Sequence, residues 1–166
     1  MITLPSKNAL VVCCLFVLIS CGIKEKKKDF YSTKRGAEKR ILPLIKPYRA
    51  ISYDNLDNWK VTFNYHEVHE PNAANADSIN VIDSVIVIKC NSKCFYAGNY
   101  YPNLWVVLIP KHKTEEMFLI EEEFRSYLTG IGIQNATLRK SEETFMEFEE
   151  NDQLPWRIDT TYESKE

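Results

Sequence analysis

Ser78-Ile79-Asn80-Val81-Ile82-Asp83-Ser84-Val85-Ile86-Val87-Ile88-Lys89-Cys90 is the stretch on which the fold turns. Its core, Val85 to Ile88, is an unbroken apolar run. Such a run has no solvated side, so it reads as a central strand covered on both faces. Leu104 to Ile109 (Leu-Trp-Val-Val-Leu-Ile) repeats the pattern, and Pro110 stops it. Trp59 to Val68 is different. Trp59, Val61, Phe63 and Tyr65 alternate with Lys60, Thr62, Asn64 and His66, a period of two with one buried face and one wet face. Glu70 to Asp77 is a loop by composition, and Phe95 to Asn99 reads as a short strand.

Helical spacing follows the strands. Ile120, Phe124, Tyr127, Leu128 and Ile131 recur within Met117 to Ile131, with Glu121, Glu122 and Glu123 at the positive end of the helix dipole. Met117 to Ile120 reads equally as a preceding strand or as the first turn. Gly130 is the expected C-terminal cap. Ser141 is the expected N-cap of a last helix through Glu150, with Phe145 and Phe148 inward. Leu154-Pro155-Trp156 then folds back on the core. Pro43 and Pro47 forbid a continuous helix from Ile41 to Tyr48. The expectation is an α+β fold: an antiparallel sheet of about four or five strands with two C-terminal helices packed on one face.

The N-terminus carries a different signal. Lys7 precedes an apolar run from Ala9 to Ile19, too short for a spanning helix of ~20 residues and suited to the core of an export signal. The run closes in Leu18-Ile19-Ser20-Cys21-Gly22. This resembles the lipobox of bacterial lipoproteins. The resemblance implies removal of residues 1–20, a lipidated Cys21 and anchoring to the membrane through acyl chains, each buried methylene adding ~0.8 kcal/mol. No Asp follows Cys21, and the next segment is mainly basic. By likeness to that class, this points to an outer membrane location facing the periplasm, with the cell surface as the alternative. The Trp105 strand and Glu121-Glu122-Glu123-Phe124 also resemble segments of small bacterial lipoproteins without known roles, from which no function follows. The expected organisation is a signal at 1–20, a lipidated cysteine and basic tether at 21–40, one α+β domain at 41–159 and a loose tail at 160–166.

Charge divides the chain. Residues 24–49 hold ten Lys/Arg against three Asp/Glu, a net of +7, while residues 50–166 hold ten against twenty, a net of −10. The basic tether suits anionic head groups. The acidic domain is a poor match for nucleic acid, whose phosphates call for clustered Lys/Arg. A basic protein partner suits it better.

Of the five cysteines, the lipoprotein resemblance implies that Cys13 and Cys14 leave with the signal and that Cys21 takes lipid. Cys90 and Cys94 remain in a compartment that oxidises thiols. They flank Asn91-Ser92-Lys93 and are expected to close a hairpin by a disulfide, contributing at most ~2 kcal/mol, with a redox-active pair or a free, buried pair as the alternatives.

Catalytic signatures are weak. His66-Glu67-Val68-His69-Glu70 places its histidines three apart, whereas zinc peptidases need them four apart on a helix, and in a strand residues 66 and 69 point to opposite faces. His112 is the third histidine, in a turn-like Lys-His-Lys. No serine sits in a Gly-flanked elbow. Asp77-Ser78-Ile79-Asn80 lacks the glycine of a calcium loop. No cofactor is expected. The aromatic segment Phe95 to Trp105 stands out instead, because Tyr96, Tyr100, Tyr101 and Trp105 offer contact area at small entropic cost. Core filling is the competing reading of those rings.

The sequence therefore favours a lipid-anchored envelope protein that binds and does not catalyse, of an inhibitor or immunity type directed at a basic secreted toxin or hydrolase. The alternatives are an assembly factor of an envelope complex and a small enzyme built around His66 or Glu67.

Overall fold

In a computed structural model, residues 30–31, 39–53, 58–62 and 73–156 are described. Their strands form two antiparallel sheets. Six short strands make the first: β1 (Arg40–Pro43), β2 (Arg49–Ser52), β3 (Lys60–Thr62), β4 (Ala73–Ala74), β7 (Cys94–Tyr96) and β8 (Asn99–Tyr101), adjacent in that order. The second sheet runs β10 (Thr114–Phe118), β9 (Leu104–Ile109), β6 (Val85–Cys90), β5 (Ser78–Ile82) and β11 (Arg139–Lys140). Two helices follow the sheets in part: α1 (Glu121–Gly130) and α2 (Ser141–Asn151). The α+β class holds.

The arrangement is richer than one sheet backed by two helices, because the sheets pack on each other. Leu42, Ala50, Val61, Ala73, Cys94 and Tyr96 point inward from the first sheet. They meet Ile79, Val81, Ile86, Ile88, Cys90, Leu104, Val106 and Leu108 of the second in one cluster. Helix α2 contributes Phe145 and Phe148 to this core, where the Phe145 ring lies 5.4 Å from that of Trp59 and Trp156 folds in. Helix α1 instead covers the back of the second sheet, burying Phe124 and Leu128 against Val85, Val87, Trp105 and Val107. The run Val85-Ile86-Val87-Ile88 is thus buried on both faces, as its lack of polar breaks requires.

Several local readings are corrected. Ser78 to Cys90 is a hairpin and not one strand. Asp83 (φ 49°) and Ser84 (φ 65°) both turn left-handed between the paired residues Ile82 and Val85, which is the two-residue loop that matches strand twist. Within the expected loop from Glu70 to Asp77, Ala73–Ala74 pair on both sides as β4. Met117 belongs to strand β10, so the strand reading of that segment prevails over the helical one. The glycine that ends α1 is Gly132 (φ 93°), not Gly130. Ile133 N donates to Leu128 O at 2.8 Å and Gly132 N to Thr129 O at 3.0 Å, with Ile133 and Leu128 in one apolar cluster. That pairing is the Schellman motif. Ser141 does not cap α2. Its hydroxyl donates to Ala76 O at 2.8 Å and fastens the helix start to the β4–β5 crossover. Upstream of β1, Phe30 covers the Arg49 guanidinium at 4.3 Å, and Lys46 N donates to Tyr31 Oη at 3.4 Å.

Candidate functional site

The four aromatic candidates lie on β7, β8 and β9, and the pleat sorts them. Tyr96 and Asn99 are paired across Ala97 (φ 47°) and Gly98 (φ 83°), a second left-handed two-residue turn. Alternation from that turn sends Tyr96 and Tyr101 toward the other sheet and Phe95 and Tyr100 away from it. Tyr96 is 8% exposed and Tyr101 is half-buried against the core. Trp105, at 7%, lies on the back of the second sheet with its ring 6.2 Å from Phe124. Tyr96 and Trp105 are therefore packing residues, since a ring already desolvated in the fold has no surface left for a partner. Tyr100 is 76% exposed, edge-on to Phe95 at 5.1 Å, and it is the ring free to bind.

Tyr96 has a further task. Its hydroxyl donates to the Glu115 carboxylate on β10, joining the first sheet to the edge strand of the second. Burial pushes the Tyr96 phenol above its ordinary range, and the Glu115 hydrogen bond and charge add to this, with smaller contributions from Tyr101 and Glu116. Tyr96 and Tyr101 share the inner face of the first sheet and Glu115 reaches Tyr96 from β10, whereas Glu116, paired with Val107, faces the α1 side; β8 and β10 are the strands concerned. Both strands are edges among the described residues, so each presents unpaired backbone groups. Along β10 and just beyond it, Glu115, Glu116, Met117, Leu119 and Ile120 are exposed. The opposite side of the sandwich is closed by α2, which packs on β11 and β1. Among the described residues the sandwich is thus open along this edge, which is acidic and partly apolar, with Tyr100 at its rim.

The cysteine corner is the second feature. Cys90 ends β6 and Cys94 begins β7, and these strands belong to different sheets. The pair therefore flanks a crossover between sheets and not a hairpin. Both residues are buried free thiols, and Cys90 Sγ donates to Ala74 O at 3.7 Å. Burial raises both thiols above their ordinary range. Asp77 braces the corner. Its Oδ2 accepts from Asn91 Nδ2 at 2.7 Å and Ser78 Oγ at 2.8 Å, and its Oδ1 accepts from Lys140 Nζ at 3.1 Å. The carboxylate is thus engaged by the fold on both oxygens, which sequence spacing alone did not reveal.

His66, Glu67, His69 and Cys21 lie outside the described residues. His112 is exposed in a 3-10 turn (Pro110–His112) after β9. Among the described residues no three His, Cys, Asp or Glu side chains gather to hold a metal ion. Among them, too, no helix is long and apolar enough to cross a membrane. Comparison with protein-family models, with curated proteins and with solved structures found no match.

Proposed function

We propose that this chain is a lipid-anchored cell-envelope protein that acts by binding a basic protein partner along the β8/β10 edge, as an inhibitor or immunity protein does. The observation that carries the reading is the open edge itself. It combines unpaired strand backbone, the Glu115 and Glu116 carboxylates and the exposed Tyr100 ring on a base locked by the Tyr96–Glu115 bond. Strand addition to such an edge draws affinity from main-chain hydrogen bonds and specificity from flanking side chains. Acidic groups at the rim select basic partners and speed their approach. The anchor, proposed at Cys21 on the strength of Leu18-Ile19-Ser20-Cys21, would hold the domain at the periplasmic side of the outer membrane. A disulfide between Cys90 and Cys94, formed on export, would fix the corner from which β7 and β8 depart.

The test is capture from envelope extracts with the chain and two variants, Tyr100→Ala and Glu116→Lys. A stoichiometric basic protein held by the parent chain, weakened at least tenfold by each variant and released by salt, is the expected result. Capture that neither variant alters would remove the edge from consideration. Capture of resident membrane proteins alone would favour the assembly role instead.

A further inference from the structure

The outer face of β1–β3 carries the opposite charge from the β8/β10 edge. Register places Lys39, Ile41, Arg49, Ile51, Tyr53 and Lys60 on this one face, pointing away from the core. Lys39 Nζ and Lys60 Nζ sit over the Tyr53 ring at 5.3 and 5.6 Å, and Tyr53 is 51% exposed. An exposed ring clasped by two ammonium groups is suited to a lipid head-group layer, where amphipathic rings settle and cations meet phosphate. Residues 39–62 hold five Lys/Arg against two Asp/Glu.

Chain connectivity points the same way. Phe30 lies over Arg49 on this face, so the segment back to Cys21 departs from it. Those nine residues can reach at most about 30 Å and include Lys24, Lys26, Lys27 and Lys28. β8 stands three strands beyond β3, about 14 Å across the sheet at ~4.8 Å per strand.

We infer that the outer face of β1–β3, centred on Tyr53 between Lys39 and Lys60, docks on an anionic phospholipid surface and leaves β10 with Glu115 and Glu116, in the sheet packed behind it, on the far side. The face stands on its own charge and geometry, and it shares with the proposed function only the lipid anchor. The lipid surface attracts one side of the domain and repels the other, so the two charges act together to set one orientation.

The experiment uses the full chain purified from membranes, with its mass read for acyl groups at Cys21. It is placed on vesicles of phosphatidylcholine alone or with about one-third phosphatidylglycerol, in the range where surface charge dominates. Acetylation rates of Lys39, Lys60 and Lys111 are compared. Lys111 is exposed in the turn between β9 and β10 and serves as the reference. Lys39 and Lys60 should slow by about fivefold on the anionic vesicles only, regain their rates at high salt, and leave Lys111 unchanged. Equal rates on both lipids, or equal slowing at all three lysines, would overturn the inference. An unacylated mass would remove the anchor while leaving the lysine comparison decisive, because the same chain can be added to preformed vesicles.

Discussion

The two sheets of this domain differ in how they are covered. The five-stranded sheet is buried on both sides, by the first sheet in front and by α1 behind. The six-stranded sheet has an inner face in the core and an outer face of half-exposed Arg49, Ile51, Lys60 and Phe95 with the exposed Tyr100. Its strands span two to four residues, against as many as six in the other sheet. The comparison teaches a division of labour. One sheet supplies stability, and the other, stabilised on one side only, keeps a surface for contact.

The largest expected effect probes that asymmetry directly. Phe124→Ala removes a ring that is 1% exposed between α1 and Trp105, and should cost about 3–5 kcal/mol. Phe95→Ala, on the outer face of the other sheet, forfeits a half-exposed ring and its contact with Tyr100, for roughly 1–1.5 kcal/mol. Urea midpoints at unchanged slope give both numbers. Equal costs would show that the outer face is as well packed as the helix-covered one.

Next in size is the joint between the sheets. A disulfide between Cys90 and Cys94 should add at most ~2 kcal/mol. Alkaline pH distinguishes it from two thiols. Burial raises both thiols in the fold, so the reduced chain has its full stability below the ordinary thiol pKa of ~8.5 and loses it as pH rises above that value. The oxidised chain has no thiol to ionise and should be flat from ~8.5 to ~10, where the tyrosines begin to ionise. Midpoints with and without reductant test this, and two free thiols in the exported protein would end the disulfide proposal.

A smaller effect belongs to the tie at the other side. Tyr96→Phe deletes the hydroxyl bound to Glu115 and should cost about 1–2 kcal/mol. The parent chain should also weaken as pH rises above ~10, because the unfolded phenol ionises there while the folded one, buried beside Glu115, resists. The variant should show a shallower slope, keeping only the parts due to Tyr127 and, in the reduced chain, the two thiols. A variant with parental stability throughout would mean that the sheets need no tie at the open edge.

The same contrast explains what could be read from the chain. Leu104–Ile109 and both helices appear in the sequence because they are long enough to show a period or an unbroken run. Ala73–Ala74 has two residues, and β1 meets the core cluster with only Leu42, so neither displays a pattern. At the candidate site the alternating pleat decides which tyrosines are buried, but its phase depends on the turn at Ala97-Gly98. Shifting that turn by one residue exchanges Tyr100 with Tyr101. Glu115 pairs with Tyr96 across nineteen residues, a distance that no local signal spans.

The turns themselves give the finest comparison, since each sheet contains one two-residue left-handed loop and neither has the Asn-Gly sequence that such loops favour. Asp83-Ser84 contains no glycine, so Ser84 (φ 65°) bears a left-handed cost of about 1 kcal/mol. In Ala97-Gly98 the second position is already glycine, and only Ala97 (φ 47°) is strained. Ser84→Gly should therefore stabilise by up to about 1 kcal/mol, and Ala97→Asn by roughly half that, since asparagine enters the left-handed region more readily than alanine. Thermal midpoints of the two variants rank the strain. If Ala97→Asn proved the larger gain, the contact-bearing sheet would be the more strained of the two, and its short strands would be held in register by the core and the Tyr96–Glu115 tie against their own turn.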